Sequence, residues 1–437
     1  MTERYRPSRR QLLGDMGKLG LTFGLLNGVL SAEPATFQHH GMPSAASLDP
    51  YITPPISRES FQKRIARIRG RMRQEDLSCL LVSSVLNHAV RYMGFFDSEL
   101  QGRGSGSPQL VSALLPLEGE PVLYLQTFTA ADYMLPRAKS ACCIDDLRLV
   151  GGSNQQVLEQ VAGQLRSWKL DHSRMGLAGD EIDWAERLYF SQALPKLDLV
   201  DANPLLNGLR IVKEPEEIEL MRRSAALGDA AMAEVEKRLA SGLTDYEIYA
   251  IGDYAMRRSG AEEDTFVLMG IGPNSNPMLM EGLNGRTLRK GDVVVYETLP
   301  YYRVYNTELA VTFSLGKPSE DQRSAAAACQ AAFEAGLAEM KPGVHSAAVV
   351  DASLKEFHKH GWKSYTHTPG HFIGLDNYEG PPLHSPNLVL QPGMVFSFHP
   401  NVVVANEVKE EISAIVLVTE KGVERLTNYR PEGIRVI

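Results

Sequence analysis

Three short apolar runs each carry one ionisable side chain where a strand would turn it inward, and this constrains the fold more than any other feature. In Val293-Val294-Val295-Tyr296-Glu297, alternation places Glu297 on the same face as Val293 and Val295. Asn306 to Phe313 reads as a second strand carrying Glu308, and Met394 to His399 as a third that ends on an imidazole. The turn-rich segment Thr366-His367-Thr368-Pro369-Gly370-His371-Phe372-Ile373-Gly374 adds two more histidines. A buried carboxylate without a partner is costly, so two of them near histidines point to a shared cation or an acid/base site. The chain is therefore expected to build sheets that wall a charged cleft.

The rest of the chain supplies two cores' worth of material: 437 residues, 43% of them hydrophobic. Residues 59–75 read as a basic amphipathic helix leading into a strand at Leu77 to Ser83. Further strands are expected at Gln109 to Pro116 and Pro121 to Gln126, and helices near 153–168 and 180–193. This alternation predicts an α/β domain. Downstream, a long helix from Pro215 to Leu239 stops at Gly242, and Thr244-Asp245-Tyr246-Glu247 forms a capping box for the next. A second long helix, Ser319 to Met340, stops at Pro342-Gly343, and His345-Ser346 opens its successor. Each helix pair precedes strands, a weak internal repeat that predicts two halves curving into one sheet around a central cleft.

Several function classes are excluded early. A net charge of -8 argues against a nucleic-acid partner. Gly102, Gly104 and Gly106 are followed by neither a helix nor the lysine of a phosphate-binding loop. Of four cysteines, the vicinal pair Cys142-Cys143 cannot bridge, and none has metal-ligand spacing. Cys329 sits in an alanine-rich helix and reads as core, and all four are expected to be inert.

The N-terminus reads as an address. Ser8-Arg9-Arg10-Gln11-Leu12-Leu13 is a twin-arginine pattern, followed by the apolar run Leu19 to Leu30 and the small residues Ser31 and Ala32. Residues 1–32 are thus expected to be a Tat export signal, which places the protein in the periplasm or another extracytoplasmic space. A basic, frayed terminus is the alternative. Residues 33–55, with Pro34, Pro43, Pro50, Pro54 and Pro55, read as a linker. No later segment has transmembrane length, so no membrane association is expected once the signal is removed.

From about residue 55 onward the chain resembles the creatinase / Xaa-Pro aminopeptidase superfamily, the pita-bread fold. Lys213-Glu214-Pro215-Glu216-Glu217-Ile218-Glu219-Leu220-Met221-Arg222 is similar to the helix that opens that family's catalytic domain. Gly272-Pro273-Asn274 and Gly291-Asp292-Val293-Val294-Val295 follow in order, then His367 to Gly374, Glu379-Gly380-Pro381-Pro382 and Leu390-Gln391-Pro392-Gly393-Met394-Val395-Phe396. The resemblance implies an α/β N-terminal domain over residues 56–210 and an α+β pita-bread domain over 211–437. It also implies a homodimer in which the non-catalytic N-terminal domain covers the neighbour's site.

The peptidase branch of this family holds two divalent metals through Asp, Asp, His, Glu and Glu. Those positions here are Glu297, Glu308, His371, His399 and Ser413, and only His371 is unchanged. The family histidine after the Gly-x-Asn turn falls near Pro277-Met278-Leu279, and the one before Glu379 is Tyr378. Two carboxylates and two neutral imidazoles balance one divalent cation, so at most one zinc, iron or manganese ion is expected, on Glu297, Glu308, His371 and His399. A metal-free acid/base site is the alternative, with His371 or His399 carrying the proton. Glutamate is about 1.5 Å longer than aspartate, so the ion or the backbone must shift from the family position. Glu411, two residues before Ser413 and on the same strand face, is a further candidate.

Together with the export signal, the resemblance implies an exported, creatinase-like hydrolase acting on a C–N bond in a small molecule or short peptide. His371 and His367 are the candidate catalytic groups, with His367, Tyr378 and Ser413 facing substrate. A non-catalytic binding homologue and a metal-dependent lyase on a small organic substrate are the other readings. Tyr301, Tyr302 and Tyr305 lie near Glu297 and Glu308 and either shape a pocket or pack, and Arg303 is a possible counter-charge for the two carboxylates.

Overall fold

The serine that opens the first helix shows how local chemistry sets the elements. Ser57 caps α1 (Arg58–Gln74) by accepting the Ser60 amide, with Glu59 in the first turn and Arg71 and Arg73 in the last, each favourable to the helix dipole. The computed structural model describes residues 53–84, 88–96, 110–127, 135, 138–179, 184–262, 264–272, 283–366, 368–404, 408–429 and 433–437. The expected export signal, most of the linker, Gly102 to Gly106, Pro273-Asn274, Pro277 to Leu279 and His367 lie outside the described residues.

After α1 come β1 (Cys79–Ser84), α2 (His88–Tyr92), β2 (Val111–Pro116), β3 (Val122–Thr127), β4 (Asp146–Gly151), α3 (Asn154–Ser167), β5 (Arg174–Ala178), α4 (Trp184–Ala193), β6 (Asp198–Asp201) and α5 (Asn203–Arg210). The strands make one six-stranded mixed sheet in the order β4-β3-β2-β1-β5-β6. Alternation along β1 separates its two buried faces. Leu80 and Val82 pack with Phe61, Ile65, Ile68 and Met72 of α1. Leu81 packs instead with Val157, Leu158, Val161 and Leu165 of α3. Helices thus cover both faces, the arrangement that a sheet with continuous apolar strands requires.

The second half runs α6 (Pro215–Arg238), α7 (Asp245–Arg258), β7 (Phe266–Ile271), β8 (Val293–Leu299), β9 (Tyr301–Tyr302), β10 (Tyr305–Asn306), β11 (Leu309–Ser314), α8 (Glu320–Glu339), α9 (Ser346–Lys359), β12 (Gly370–Phe372), β13 (Val395–Phe398), β14 (Asn401–Val404), β15 (Val408–Glu411), β16 (Ala414–Thr419), β17 (Gly422–Arg425) and β18 (Arg435–Val436). Thr244 caps α7 and Glu247 returns the bond, the capping box read from sequence. The helix pair α6–α7 packs Leu227, Met232, Val235 and Met256 against Val294, Tyr296, Val311 and Phe313. The pair α8–α9 packs Cys329, Phe333, Val349 and Phe357 against Phe396, Phe398, Val416 and Val418. Gly336 is needed where α8 meets the sheet, because an added Cβ would stand 2.2 Å from the Phe398 ring.

The single curved sheet expected from the repeat is instead two four-stranded sheets, β18-β11-β8-β7 and β12-β13-β16-β17, with β14–β15 as a separate hairpin. Side-chain oxygens sew the two together. The Ser413 amide donates to the Ala310 carbonyl at 3.1 Å, and the Ala310 amide donates to Ser413 Oγ at 2.5 Å. Thr312 Oγ1 donates to the Glu411 carbonyl and accepts the Glu411 amide, both at 3.0 Å. The chain leaves the ladder at Ile412-Ser413, and these hydroxyls satisfy backbone groups that no strand partner reaches.

A buried ionic cluster connects α1 to the start of α6. Arg64, with no exposure, donates to Glu214 at 2.8 Å and lies 3.3 Å from Glu217. Tyr305 donates to Glu217 at 2.9 Å, so this tyrosine packs rather than lining a pocket. The Arg303 guanidinium donates to the Thr53 carbonyl, which takes it away from the role of counter-charge to Glu297 and Glu308. All four cysteines are buried, and burial pushes the Cys142 thiol up to about 12 and the Cys143 thiol up to about 11, keeping both in the unreactive thiol form. Among the described residues no helix is long and apolar enough to cross a membrane.

Candidate metal centre

Four of the singled-out residues converge from four different elements. Glu297 lies within β8, Glu308 immediately before β11, His371 in the middle of β12 and His399 immediately after β13. β8 and β11 are antiparallel with Ala310 opposite Glu297, and β12 and β13 are antiparallel with His371 opposite Ser397. Gly370 permits the second pairing, since a Cβ there would meet the Ser397 carbonyl oxygen at 2.4 Å. The His399 amide donates to the Pro369 carbonyl at 2.7 Å, which holds the two histidine segments together.

Glu308, His371 and His399 place ligand atoms within 4.8 Å of one another. His371 Nε2 is 3.4 Å from Glu308 Oε2, and His399 Nε2 is 3.9 Å from Glu308 Oε1. Two atoms bound to one ion at about 2.0–2.2 Å each stand at most about 4.4 Å apart, so both separations suit a shared cation. The ring nitrogens make the stronger case. His371 Nδ1 lies 3.0 Å from the Phe372 carbonyl. A carbonyl only accepts, so Nδ1 carries the hydrogen, and in the neutral ring Nε2 is a lone pair aimed at a carboxylate oxygen. That contact is stable only with positive charge between the two atoms, a proton or a metal ion. Nε2 of His371 and both ring nitrogens of His399 are buried without a hydrogen-bond partner. The donor set therefore fits a divalent cation.

Glu297 stands behind this trio. Burial and the charges of Glu308 and Glu411 push its carboxyl well above the usual range, and it hydrogen-bonds Glu308. Burial also raises Glu308, but the imidazoles of His399 and His371 and the bond from Glu297 outweigh it and hold that carboxyl well below the usual range. Glu297 therefore carries the proton and Glu308 the charge. Burial lowers His399 to about 4 against the pull of Glu308, which leaves the ring neutral at pH 7.

Two expectations change here. Glu297, expected as a ligand, is not among the mutually close ligand atoms. Ser413 does not face substrate: it has no exposure, and its hydroxyl is taken by the Ala310 amide in the seam. Glu411 reaches the site instead. Its Oε1 is 3.8 Å from His399 Nδ1, and burial together with the charge of Glu308 pushes it up to about 8. The parity that puts residues 411 and 413 on one strand face ends at Ile412, where β15 stops. β15 reads Val-Lys-Glu-Glu, so no apolar run marked Glu411; its signal was the two-residue spacing from Ser413.

The open side belongs to Tyr378. Its ring lies 4.0 Å from that of His371, tilted by 35°, while the residue itself is 68% exposed. The turn beneath it is fixed by the buried Glu379, which accepts from Lys213, from Arg210 at 2.9 Å, and from the amides of Leu375 and Asp376 at 2.8 and 3.2 Å. Arg210 also pairs with Asp376.

Residues 64–212 match the creatinase/prolidase N-terminal domain, and residues 219–420 match the metallopeptidase family M24. The probable dipeptidase PepE of Mycobacterium tuberculosis is 35% identical over 240 residues, 54% of this chain and 63% of that protein's length. The chain thus spans under two thirds of that relative. The ectoine hydrolase of Halomonas elongata is 26% identical over 418 residues, covering 86% of this chain and 98% of the hydrolase. The crystal structure of the dipeptidase PepE from Mycobacterium ulcerans superposes with a TM-score of 0.74 at 26% identity, over 87% of this chain and 99% of that one. Two sheets backed by helix pairs, a creatinase-type domain ahead of them and inward-facing carboxylates and imidazoles between them agree with these matches: the chain belongs to the creatinase / Xaa-Pro aminopeptidase superfamily and has its pita-bread fold.

Proposed function

We propose that the cleft is the active site of a hydrolase that cleaves a C–N bond in a dipeptide or a comparably small amide, with one divalent cation held by Glu308, His371 and His399. The observation that carries this reading is the set of buried ring nitrogens without hydrogen-bond partners around the charged Glu308. Two imidazoles and a carboxylate suit zinc, iron or manganese. Such an ion, when bound, polarises a carbonyl and brings the pKa of a coordinated water to about 7. The protein's own groups do the remainder. Glu297 keeps a proton against Glu308, so one of the two carboxyls stays neutral and the pair is not self-repelling. Tyr378 and the accessible edge of His371 offer an aromatic wall to a substrate arriving from the open side. The dipeptidase and ectoine hydrolase relatives support a substrate of this size. The twin-arginine segment Ser8 to Leu13 supports action outside the cytoplasm, and the family resemblance supports a homodimer.

Elemental analysis of protein purified without added metal, followed by turnover assays on a dipeptide and amide panel, tests the reading. One divalent ion per chain is expected, with turnover lost on chelation and regained on reconstitution. Two ions per chain would overturn the single-cation arrangement. Undiminished turnover without any ion would transfer the chemistry to acid/base catalysis by the histidines. Ligand binding without turnover of any substrate would leave a binding homologue.

A further inference from the structure

The two histidines of the site differ in what holds the far side of each ring. His371 is oriented by the Phe372 carbonyl at its Nδ1. His399 has no such carbonyl: its Nδ1 faces Glu411 Oε1 at 3.8 Å, and its Nε2 faces Glu308 Oε1 at 3.9 Å. The ring is 5% exposed, and neither nitrogen has a hydrogen-bond partner. A neutral imidazole has one N–H and one lone pair, and the group at one nitrogen decides which the other presents. We infer, building on the cation reading above, that Glu411 is a positioning residue: it accepts the Nδ1–H of His399 and thereby turns the Nε2 lone pair toward Glu308 and His371.

Three further observations support this role. The Glu411 backbone is pinned on both sides by Thr312, in the seam between the sheets. Asn401, the residue opposite Glu411 in the β14–β15 hairpin, donates its Nδ2 to the His399 carbonyl at 3.2 Å, which ties the hairpin to the same histidine. Among the described residues, Glu411 is not a member of the mutually close ligand set, and it lies against the opposite nitrogen of the same ring. The 3.8 Å separation is about 1 Å longer than a charge-assisted N–H···O bond. Once Glu411 is ionised, as at pH 9, the arrangement is a carboxylate–histidine–cation relay, in which the outer carboxylate fixes the tautomer and raises the basicity of the ligand. It is built on position 411, while Ser413 serves the seam.

The test uses the full chain and Zn2+ alone. Glu411→Leu removes the acceptor at similar volume, and Glu411→Gln keeps an acceptor without its charge. Zn2+ affinity, measured by chelator competition, is expected to weaken about 10–100-fold in Glu411→Leu and by less in Glu411→Gln, with the number of ions per chain unchanged. Nitrogen-15 spectra of the histidine rings, recorded at pH 9 with and without Zn2+, should show the Nδ1–H tautomer of His399 in the wild type and its loss in Glu411→Leu. A merely structural role would not move that signature. Zn2+ affinity within about threefold of wild type, or an unchanged tautomer in Glu411→Leu, would overturn the inference. Loss of a bound ion would overturn it too, by making Glu411 a ligand. A wild-type protein that binds no Zn2+ would defeat the cation reading, and the tautomer in the metal-free protein would then decide the role of Glu411 alone.

Discussion

Replacing Ser413 by alanine separates two readings of one position. Aligned on its family, residue 413 is a metal ligand, whereas in the fold it is the stitch between two sheets. Ser413 Oγ accepts the Ala310 amide at 2.5 Å, and both residues have no exposure, so water cannot replace the lost acceptor. The reciprocal bond, from the Ser413 amide to the Ala310 carbonyl at 3.1 Å, is unaffected by the substitution. One buried amide left without a partner costs about 1–3 kcal/mol. Removing a single oxygen adds little cavity, so the middle of that range, about 2 kcal/mol, is the expected loss. In a domain of this size 1 kcal/mol lowers Tm by about 2–4 °C, so Ser413→Ala should melt about 4–8 °C below wild type. Ser413→Glu loses the same acceptor and buries a carboxylate with no counter-charge, so it should lose more stability and gain no metal. Thermal and urea unfolding of the metal-free proteins, together with ion content, decide the matter. A Ser413→Ala protein within about 0.5 kcal/mol of wild type, or a stable Ser413→Glu protein with an additional ion, would refute the seam and return residue 413 to the cleft.

His371→Ala should abolish turnover and weaken Zn2+ beyond the 10–100-fold typical of outer-shell partners, with Tm of the metal-free protein nearly unchanged; retained turnover would remove His371 from the chemistry. In the metal-free protein Glu411 is raised to about 8 and Glu297 well above its usual range, so stability from these groups is full below the unfolded carboxyl value near 4.3 and is lost as pH rises through about 8. His399, lowered to about 4, works in the opposite direction between about pH 4 and 6.5. The clean window is therefore about pH 6.5–8, where the urea midpoint should fall with pH and Zn2+ should remove the slope; a flat metal-free profile would contradict the burial of these carboxyls. Arg9→Lys combined with Arg10→Lys should leave the precursor in the cytoplasm, and normal periplasmic recovery would rule out Tat dependence.

Local patterns alone were enough for the elements and for most of the cluster. The long helices read at Pro215 to Leu239 and Ser319 to Met340 occur at Pro215–Arg238 and Glu320–Glu339. Their stops and caps are local chemistry that needs no tertiary partner. An inward carboxylate in an apolar strand is visible for the same reason: period-2 alternation is a property of the chain, and Glu297, Glu308 and His399 stood out by breaking it. What alternation cannot carry is what happens where a strand ends. Alignment on the family put Ser413 on the cleft face and parity counted from it brought in Glu411, but β15 stops before Ile412, and the Ser413 hydroxyl turns to an amide of another sheet. Only the tertiary structure decided that Ser413 joins the halves and that Glu411 faces His399. It likewise settled that Arg303 bonds the Thr53 carbonyl and Tyr305 bonds Glu217. Except for Glu411 and His399, those assignments depend on groups 88 or more residues apart meeting in the fold, and where they are buried each unpaired donor or acceptor is costly enough to dictate its neighbour.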